Sequence, residues 1–305
     1  MPNTPPGSKS VDQFAEFLKK KGNLPSTIEN YSRDALHFLD FINDHQLSLD
    51  LVTSETVKAY EEQLSLSDKE NSLRRKIIGA KQFFRFLSLC SKNDESQIEA
   101  APIPRRVEIE PAPLNPELLQ SLLNHAVNTT PPIKAKRDYA IICLLAIEGL
   151  KAHEIISLTW SNCLIANEQG SLNILGPKPR TIYLNPTTSL AMIEYRDLSK
   201  GLDHKGEAIF VAFKGRESSL VLPRMTRHGL KHVIYELGEK SGIDQLNTET
   251  LRHHAIDFQI SQGKSPEEIM NHLGLKRPGN ITKHFKRERH ARTLAKMASH
   301  EPPAS

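Results

Sequence analysis

The stretch LRHHAIDFQISQGKSPEEIMNHLG, residues 251–274, carries the main signal for the fold. Its apolar residues recur at helical spacing, and Gly263 breaks the pattern, so the stretch predicts two consecutive helices. The helical pattern extends back to Arg224 with a break at Gly242, and forward across a second break at Pro278–Gly279. The C-terminal third of the chain is therefore predicted to be a series of short helices.

The region before this stretch combines helices with a little β-structure. Helical spacing is found over residues 116–128 and 135–149. Two β-rich runs follow, SLNILG at 171–176 and RTIYLN at 180–185, and the tight PKP turn joins them. These runs predict a β-hairpin within an otherwise helical domain.

The N-terminal part of the chain predicts a separate helical domain. Residues 1–10 are rich in Pro, Ser and Gly and predict a disordered tail, whereas residues 11–91 carry four apolar stripes at helical spacing. Residues 92–116 contain five prolines and no periodicity. We therefore expect a four-helix domain over 11–91, a linker over 92–115, a second domain over 116–296 and a tail over 297–305.

Composition limits the classes of partner. The formal net charge is +4, and the segment 276–296 holds eight Lys and Arg against one acid, Glu288, which is compatible with nucleic acid. No apolar run is long enough to span a bilayer, and no leader pattern is found, so we expect a cytoplasmic protein without a membrane partner. The three cysteines are predicted to be buried, reduced thiols.

Two segments in this order resemble the tyrosine recombinase (phage integrase) family. The segment RDYAIICLLAIEGLKAHEIISLTW, residues 137–160, is similar to the family's first arginine segment, and residues 251–274 are similar to its second. Residues 26–42, 51–64 and 71–87 look like its core-binding domain. The resemblance covers about residues 11–290. It implies a mainly α (α+β) fold, with a four-helix core-binding (SAM-like) domain and a catalytic-like domain that carries a small β-hairpin or sheet.

The resemblance also implies a chemistry and its residues. In the family a tyrosine attacks a DNA phosphodiester, and two arginines, a lysine and two His or Trp donors stabilise the phosphoryl charge. No metal or other cofactor is implied. The equivalent positions in this chain are Lys151, Lys178, Glu249, Arg252, Leu275 and, for the nucleophile, Phe285 or His284 in an alternative register.

Most of these positions depart from the family pattern. Lys151 replaces an arginine and loses its two-pronged grip on phosphate, and Leu275 cannot donate a hydrogen bond. Glu249 would repel phosphate, and it could instead pair with Lys151 or Arg252. Neither register offers a tyrosine, and all six tyrosines lie at or before residue 235. His284 could form a phosphoryl intermediate, but we expect a surface histidine on a basic helix.

Binding to double-stranded DNA is expected through basic and hydroxyl side chains in both domains. Arg74, Lys81 and Arg85 are predicted to form one exposed basic edge of the fourth helix. The remaining candidates are Lys21, Ser26 and Thr27 near the first turn, and Lys178, Arg252, Lys276 and Arg277 in the second domain. The C-terminal helix could dock on a second copy or on an active recombinase.

The sequence thus predicts a DNA-binding protein of recombination or integration systems that does not cleave DNA and acts as a regulator or accessory factor. Two alternatives stay open. One is an active site-specific recombinase with altered catalytic residues, and the other is a helical protein-interaction scaffold without affinity for DNA.

Overall fold

The computed structural model describes residues 8–49, 52–91, 101–107, 114–166, 169–200, 207–213, 223–275 and 277–298. The chain divides into two compact units, Met1–Ile109 and Glu110–Ser305. Within the described ranges the fold is mostly helical with one small antiparallel sheet, so the predicted fold class is confirmed. No helix in these ranges is both long and apolar enough to cross a membrane.

The described residues of the first unit form four helices. They are α1 (Ser8–Lys20), α2 (Pro25–Asp44), α3 (Ser54–Ser65) and α4 (Glu70–Ser91). The first helix begins at Ser8, within the segment 1–10 for which the sequence predicts a tail. The second helix begins at Pro25 with Leu24 as its N-cap, one residue before Ser26 and two before Thr27, the two predicted starts.

The core of the first unit is aromatic. Phe14, Phe38, Tyr60 and Phe83 are all at most 1% exposed, and their rings meet edge to face, with centroids 5.3 Å apart for Phe14 and Phe83 and 5.1 Å apart for Phe38 and Tyr60. Such pairs stabilise a core beyond the area that they bury. Each ring comes from an apolar stripe that the sequence places on one helical face.

Close approach of α2 and α4 depends on Gly79. A Cβ atom at this position would lie 2.4 Å from the Cβ of Asp34, which is far inside van der Waals contact. Asp34 is itself 1% exposed, and its carboxylate is paired with Arg75 of α4. The glycine therefore lets the two helices come close enough to bury this ion pair.

Part of the predicted linker belongs to the first unit. The buried Lys81 Nζ donates a hydrogen bond of 2.7 Å to the carbonyl of Ala101. Asn71 exchanges two hydrogen bonds with the backbone of Val107, at 2.8 and 3.2 Å. Residues 101–107 thus lie along α4, while 92–100 and 108–113 fall outside the described residues.

The second unit packs around a helix whose C-terminal half is completely buried. Its helices are α5 (Pro116–Val127), α6 (Pro132–Ala146), α7 (Ala152–Ser157), α8 (Pro186–Ser199), α9 (Arg227–Lys240), α10 (Thr248–Ser261), α11 (Pro266–Leu273) and α12 (Gly279–Ala298). In α6 every residue from Ala140 to Ala146 is at most 1% exposed. Helices α9, α10 and α12 end or begin within two residues of the predicted breaks at Gly242, Gly263 and Pro278–Gly279.

The sheet of the second unit has one strand more than the sequence predicts. Strands β1 (Cys163–Ala166), β2 (Gln169–Ile174) and β3 (Arg180–Tyr183) lie in the order β1-β2-β3. The predicted hairpin is β2–β3, with Leu172 opposite Ile182.

Cys163 of β1 is half-buried and Cys143 is buried, but Cys90 is exposed, so the prediction of a buried thiol is wrong at Cys90.

Candidate functional site

The turn between α6 and α7 positions two of the candidate residues. Gly149 has a φ of +68°, a left-handed conformation that glycine adopts without strain. Its carbonyl accepts a hydrogen bond of 2.9 Å from Nε of Arg252 on α10. Lys151 follows two residues later as the residue that precedes α7. The turn therefore places Lys151 beside Arg252.

Lys151 lies in an environment that disfavours its charge. Desolvation lowers the pKa of its ammonium group, the positive charges of Arg252 and Arg180 lower it further, and Glu154 and Glu249 oppose them. Desolvation also lowers the pKa of Arg252. Three cations thus share a partly desolvated site, which is an arrangement that attracts an anion.

An ion pair that the sequence analysis missed lies within this site. Arg180, the first residue of β3, donates to both carboxylate oxygens of Glu154, at 2.9 and 3.2 Å. The two side chains are only 11% and 5% exposed. Burial alone would raise the pKa of Glu154, but the hydrogen bonds from Arg180 and from the backbone N–H of Lys151 lower it below its ordinary value. Glu154 is therefore a buried carboxylate anion.

Three cations converge on the end of helix α11. Arg180 Nε donates to the carbonyl of His272 at 2.7 Å, Arg252 Nη2 to Leu273 at 3.4 Å, and Lys178 Nζ to Leu275 at 2.7 Å. Carbonyls at a helix C-terminus lack partners within the helix and carry partial negative charge. The basic side chains therefore satisfy the carbonyls of this turn, and part of their donor capacity is used within the protein.

Glu249 is exposed on the first turn of α10. Its charge acts on Lys151 and on Arg252, but among the described residues no ion pair within 4 Å joins it to either cation. The expectation of a direct pair that fills the site is therefore wrong. Glu249 reduces the positive potential of the site through space and leaves the two cations in place.

Leu275 and Phe285 belong to an apolar cluster. Both are partly buried against Ile256, Ile260, Ile269, Leu273 and Ile281, which come from α10, α11 and α12. Neither side chain carries a group that could donate a hydrogen bond to a phosphate or attack one. Each position contributes to packing of the three helices.

His284 is buried, so the expectation of a surface histidine is wrong. It is 6% exposed, and its Nδ1 lies 2.7 Å from Oδ1 of Asp257 while its Nε2 lies 2.9 Å from Nδ1 of His253. Burial alone would raise the pKa of Asp257, but hydrogen bonds from His284 and Arg287 lower it. Nδ1–H of His284 therefore donates to this carboxylate, and Nε2 accepts from His253. Both ring nitrogens are engaged.

The basic edge predicted on α4 is not a single exposed surface. Lys81 is 5% exposed and holds the carbonyl of Ala101, so the prediction that it contacts DNA is wrong. Arg85 is half-buried. Arg74 instead lines a pocket of the first unit, and its Nε is buried. The spacing i, i+7, i+11 does not reveal that residues 101–107 cover part of this helix face.

The other predicted DNA contacts lie at the ends of helices. Lys21 is exposed after α1, with its Nζ 4.4 Å from the ring centroid of Phe17. Ser26 is exposed and Thr27 half-buried in the first turn of α2, which has no side-chain cap. Arg277 is exposed before α12, and Lys276 lies outside the described residues.

Some of the missed residues left a signal in the sequence. Glu154 stands three residues after Lys151, which is the spacing of a carboxylate that caps the first turn of a helix. Arg180 directly follows the predicted hairpin turn. Asp257 and His253 are one helical turn apart, but nothing in the sequence indicates that His284 lies beside them, because 27 residues separate it from Asp257.

Comparison with known proteins places both units in one family. Residues 11–89 match the profile described as "Phage integrase, N-terminal SAM-like domain", and residues 114–292 match "Phage integrase family". A protein of Caldanaerobacter subterraneus subsp. tengcongensis, provisionally named a tyrosine recombinase, is 29% identical over 270 residues, or 87% of this chain and 88% of its own length. Tyrosine recombinase XerC of Herpetosiphon aurantiacus is 25% identical over 276 residues, 87% and 86% of the two chains.

Solved structures share the fold. The XerH site-specific recombinase bound to its difH substrate in a pre-cleavage complex has a TM-score of 0.68 at 15% identity, over 96% of this chain and 85% of that one. A lambda integrase tetramer bound to a Holliday junction has a TM-score of 0.69 at 14% identity, over 90% and 76% of the two chains.

Proposed function

Because the chain belongs to the phage integrase family, we propose that it binds double-stranded DNA and has lost the strand-cleavage step. It acts in recombination or integration as a regulator or as an accessory subunit beside an active recombinase. DNA binding is supported by the cations of the second unit and by the DNA complexes of the structural neighbours. The assemblies of those neighbours also support a second copy or a related recombinase as partner.

One observation carries the proposed loss of cleavage: neither register offers an attacking oxygen. Phe285 has no polar atom and packs in an apolar cluster. His284 is 6% exposed and both its ring nitrogens are engaged. A nucleophile must present a free lone pair to the phosphorus, and His284 would first have to break a buried hydrogen bond.

The cations of the site support the same proposal. Lys178, Arg180 and Arg252 are held by carbonyls at the end of α11, and Arg180 is also held by Glu154. These contacts give the basic side chains a structural role that does not require catalysis. Loss of a single charge-stabilising donor costs about 10²- to 10³-fold in rate, so the changes at Lys151, Glu249 and Leu275 compound the loss of the nucleophile.

Two measurements on the full chain test the proposal. The first is binding to duplex DNA from the neighbourhood of its gene, compared with duplex of random sequence over a series of salt concentrations. Affinity that falls steeply as salt rises supports a phosphate-binding surface. Absence of DNA binding at low salt would favour the interaction scaffold.

The second measurement is incubation with a nicked suicide substrate, followed by denaturing electrophoresis. We expect no covalent protein–DNA adduct, and an active family member on its own site serves as the positive control. An adduct would establish the altered recombinase instead. Peptide mapping, together with the variants His284→Gln and Tyr183→Phe, would then identify the attacking residue, since Tyr183 is 79% exposed and lines a groove with Lys178 and Arg180.

A further inference from the structure

The first unit contains a basic pocket that the sequence does not reveal. It has a volume of about 310 Å³ and combines side chains of α2, α4 and the segment 101–107. The lining residues are Tyr31, Asn71, Arg74, Arg75, Ile78 and Arg106. Three guanidinium groups, an amide and one aromatic ring therefore surround a single concave space.

The pocket is a built feature, because two anchors hold the segment that completes it. Lys81 holds the carbonyl of Ala101, and Asn71 binds both the N–H and the carbonyl of Val107. These contacts fix the chain on either side of Arg106 against α4. Arg106 thereby comes beside Arg74 and Arg75, more than thirty residues away along the sequence.

No acidic side chain is found among the described residues that line the pocket. Asp34, which is 1% exposed, accepts from Nη1 of Arg75 through both carboxylate oxygens. Asp34 therefore pairs with Arg75 alone among the three guanidinium groups of the pocket. Burial raises the pKa of this carboxyl group, and the charge of Arg75 opposes the rise.

Arg74 supplies an unsatisfied donor. Among the residues that the structure describes, its Nε is buried and has no hydrogen-bond partner. A buried N–H group without a partner is unfavourable, so such groups are commonly completed by a water or by a ligand. Guanidinium groups match the geometry of phosphate oxygens, to which they donate in pairs.

We propose that this pocket binds a phosphate group, and that its ligand is a phosphodiester of the DNA backbone. Arg74 and Arg106 donate to the phosphoryl oxygens, Arg75 adds positive charge, and the ring of Tyr31 lies against the adjoining sugar. The inference rests on the proposed DNA binding and deepens it: residues 101–107 are part of the DNA-binding surface and not merely a connector.

The test compares two neighbouring arginines in the full chain. Arg106→Ala removes a pocket cation, and Arg105→Ala removes an exposed cation that does not line the pocket. Both positions are exposed, so neither change disturbs a core. For a fluorescent duplex of random sequence, we expect the slope of log affinity against log salt to become shallower by about 0.9 in Arg106→Ala, the value for one lost phosphate contact. Arg105→Ala should keep the wild-type slope.

The outcomes separate this pocket from the proposed function. If Arg106→Ala keeps the wild-type slope, or if both variants lose the same amount, the pocket proposal is overturned while DNA binding stands. Isothermal titration with inorganic phosphate at low salt covers the other source of the same chemistry. The wild-type chain could instead bind phosphate but no DNA, with Arg106→Ala as the only variant that loses phosphate binding. That result would support a site for free phosphate and reject the proposed function.

Discussion

Replacing Arg180 with methionine should destabilise the second unit strongly. The change keeps the approximate length of the side chain but leaves Glu154, 5% exposed, without its guanidinium partner. Removing one partner of a buried ion pair typically costs about 3–5 kcal/mol. Glu154 keeps the backbone N–H of Lys151 at 2.9 Å, so we expect a loss of about 3 kcal/mol in the free energy of unfolding, near the lower end of that range.

The chain offers a specific probe for this measurement. Trp160 is the only tryptophan, and it lies in the second unit with its ring centroid 6.4 Å from that of Tyr195. Urea unfolding followed by tryptophan fluorescence therefore reports the second unit. Lys136→Met is the matched control, because it removes an exposed pair with Glu194 and should cost at most about 1 kcal/mol.

A double variant separates the ion pair from the other contacts of Arg180. In Glu154→Gln/Arg180→Met the buried charge is gone, so most of the lost free energy of unfolding should return. The remaining deficit should be about 1 kcal/mol, the usual contribution of the hydrogen bond to the carbonyl of His272. If Arg180→Met costs no more than Lys136→Met, or if the double variant is as unstable as the single one, the reasoning fails.

Three further outcomes are expected. Burial lowers the pKa of His253, and hydrogen bonds lower that of Asp257. Both groups therefore bind protons more weakly in the folded state than in the unfolded state. The stability that they confer is present at neutral pH, and it is lost as pH falls below about 6.5 for the histidine and below about 4 for the carboxyl group. In urea unfolding, the free energy of unfolding of His253→Gln should fall less between neutral and mildly acidic pH than that of the wild type. An unchanged dependence of this free energy on pH would contradict the reasoning. Gly79→Ala should lower the thermal midpoint of the first unit, because the new Cβ meets Asp34. Helix propensity alone favours alanine by about 1 kcal/mol, so a stabilised variant would refute the close packing of α2 and α4 at this glycine. Lys81→Ala should lower the thermal midpoint of the first unit, because the lysine holds Ala101 inside the fold, and an unchanged midpoint would count against that role.

The fold was largely predictable because it depends on local patterns. Apolar residues at helical spacing mark the four helices of the first unit, Gly242 and Gly263 mark where two later helices end, and Pro278 marks where the last one begins. Strand β1 was missed because four residues with alternating burial carry too little periodicity to stand out from a loop.

The candidate site was only partly predictable. The resemblance located Lys151 and Arg252, which do meet across the turn at Gly149. It gave no indication of the Glu154–Arg180 pair, because these residues meet only when β3 lies beside α7. The same holds for His284, whose burial depends on the packing of α12 against α10.

The amino-acid sequence shows that the chain has no tyrosine beyond residue 235, and it was enough to predict the family and the two helical units. Which side chains are exposed and able to bind a ligand became clear from the folded structure. Lys81 and His284 looked like surface residues and are buried, whereas Arg106, within an apparent linker, completes a basic pocket. The physical reason is that exposure and hydrogen bonding depend on which segments pack together, and contacts between residues distant along the chain leave no periodic trace in the sequence.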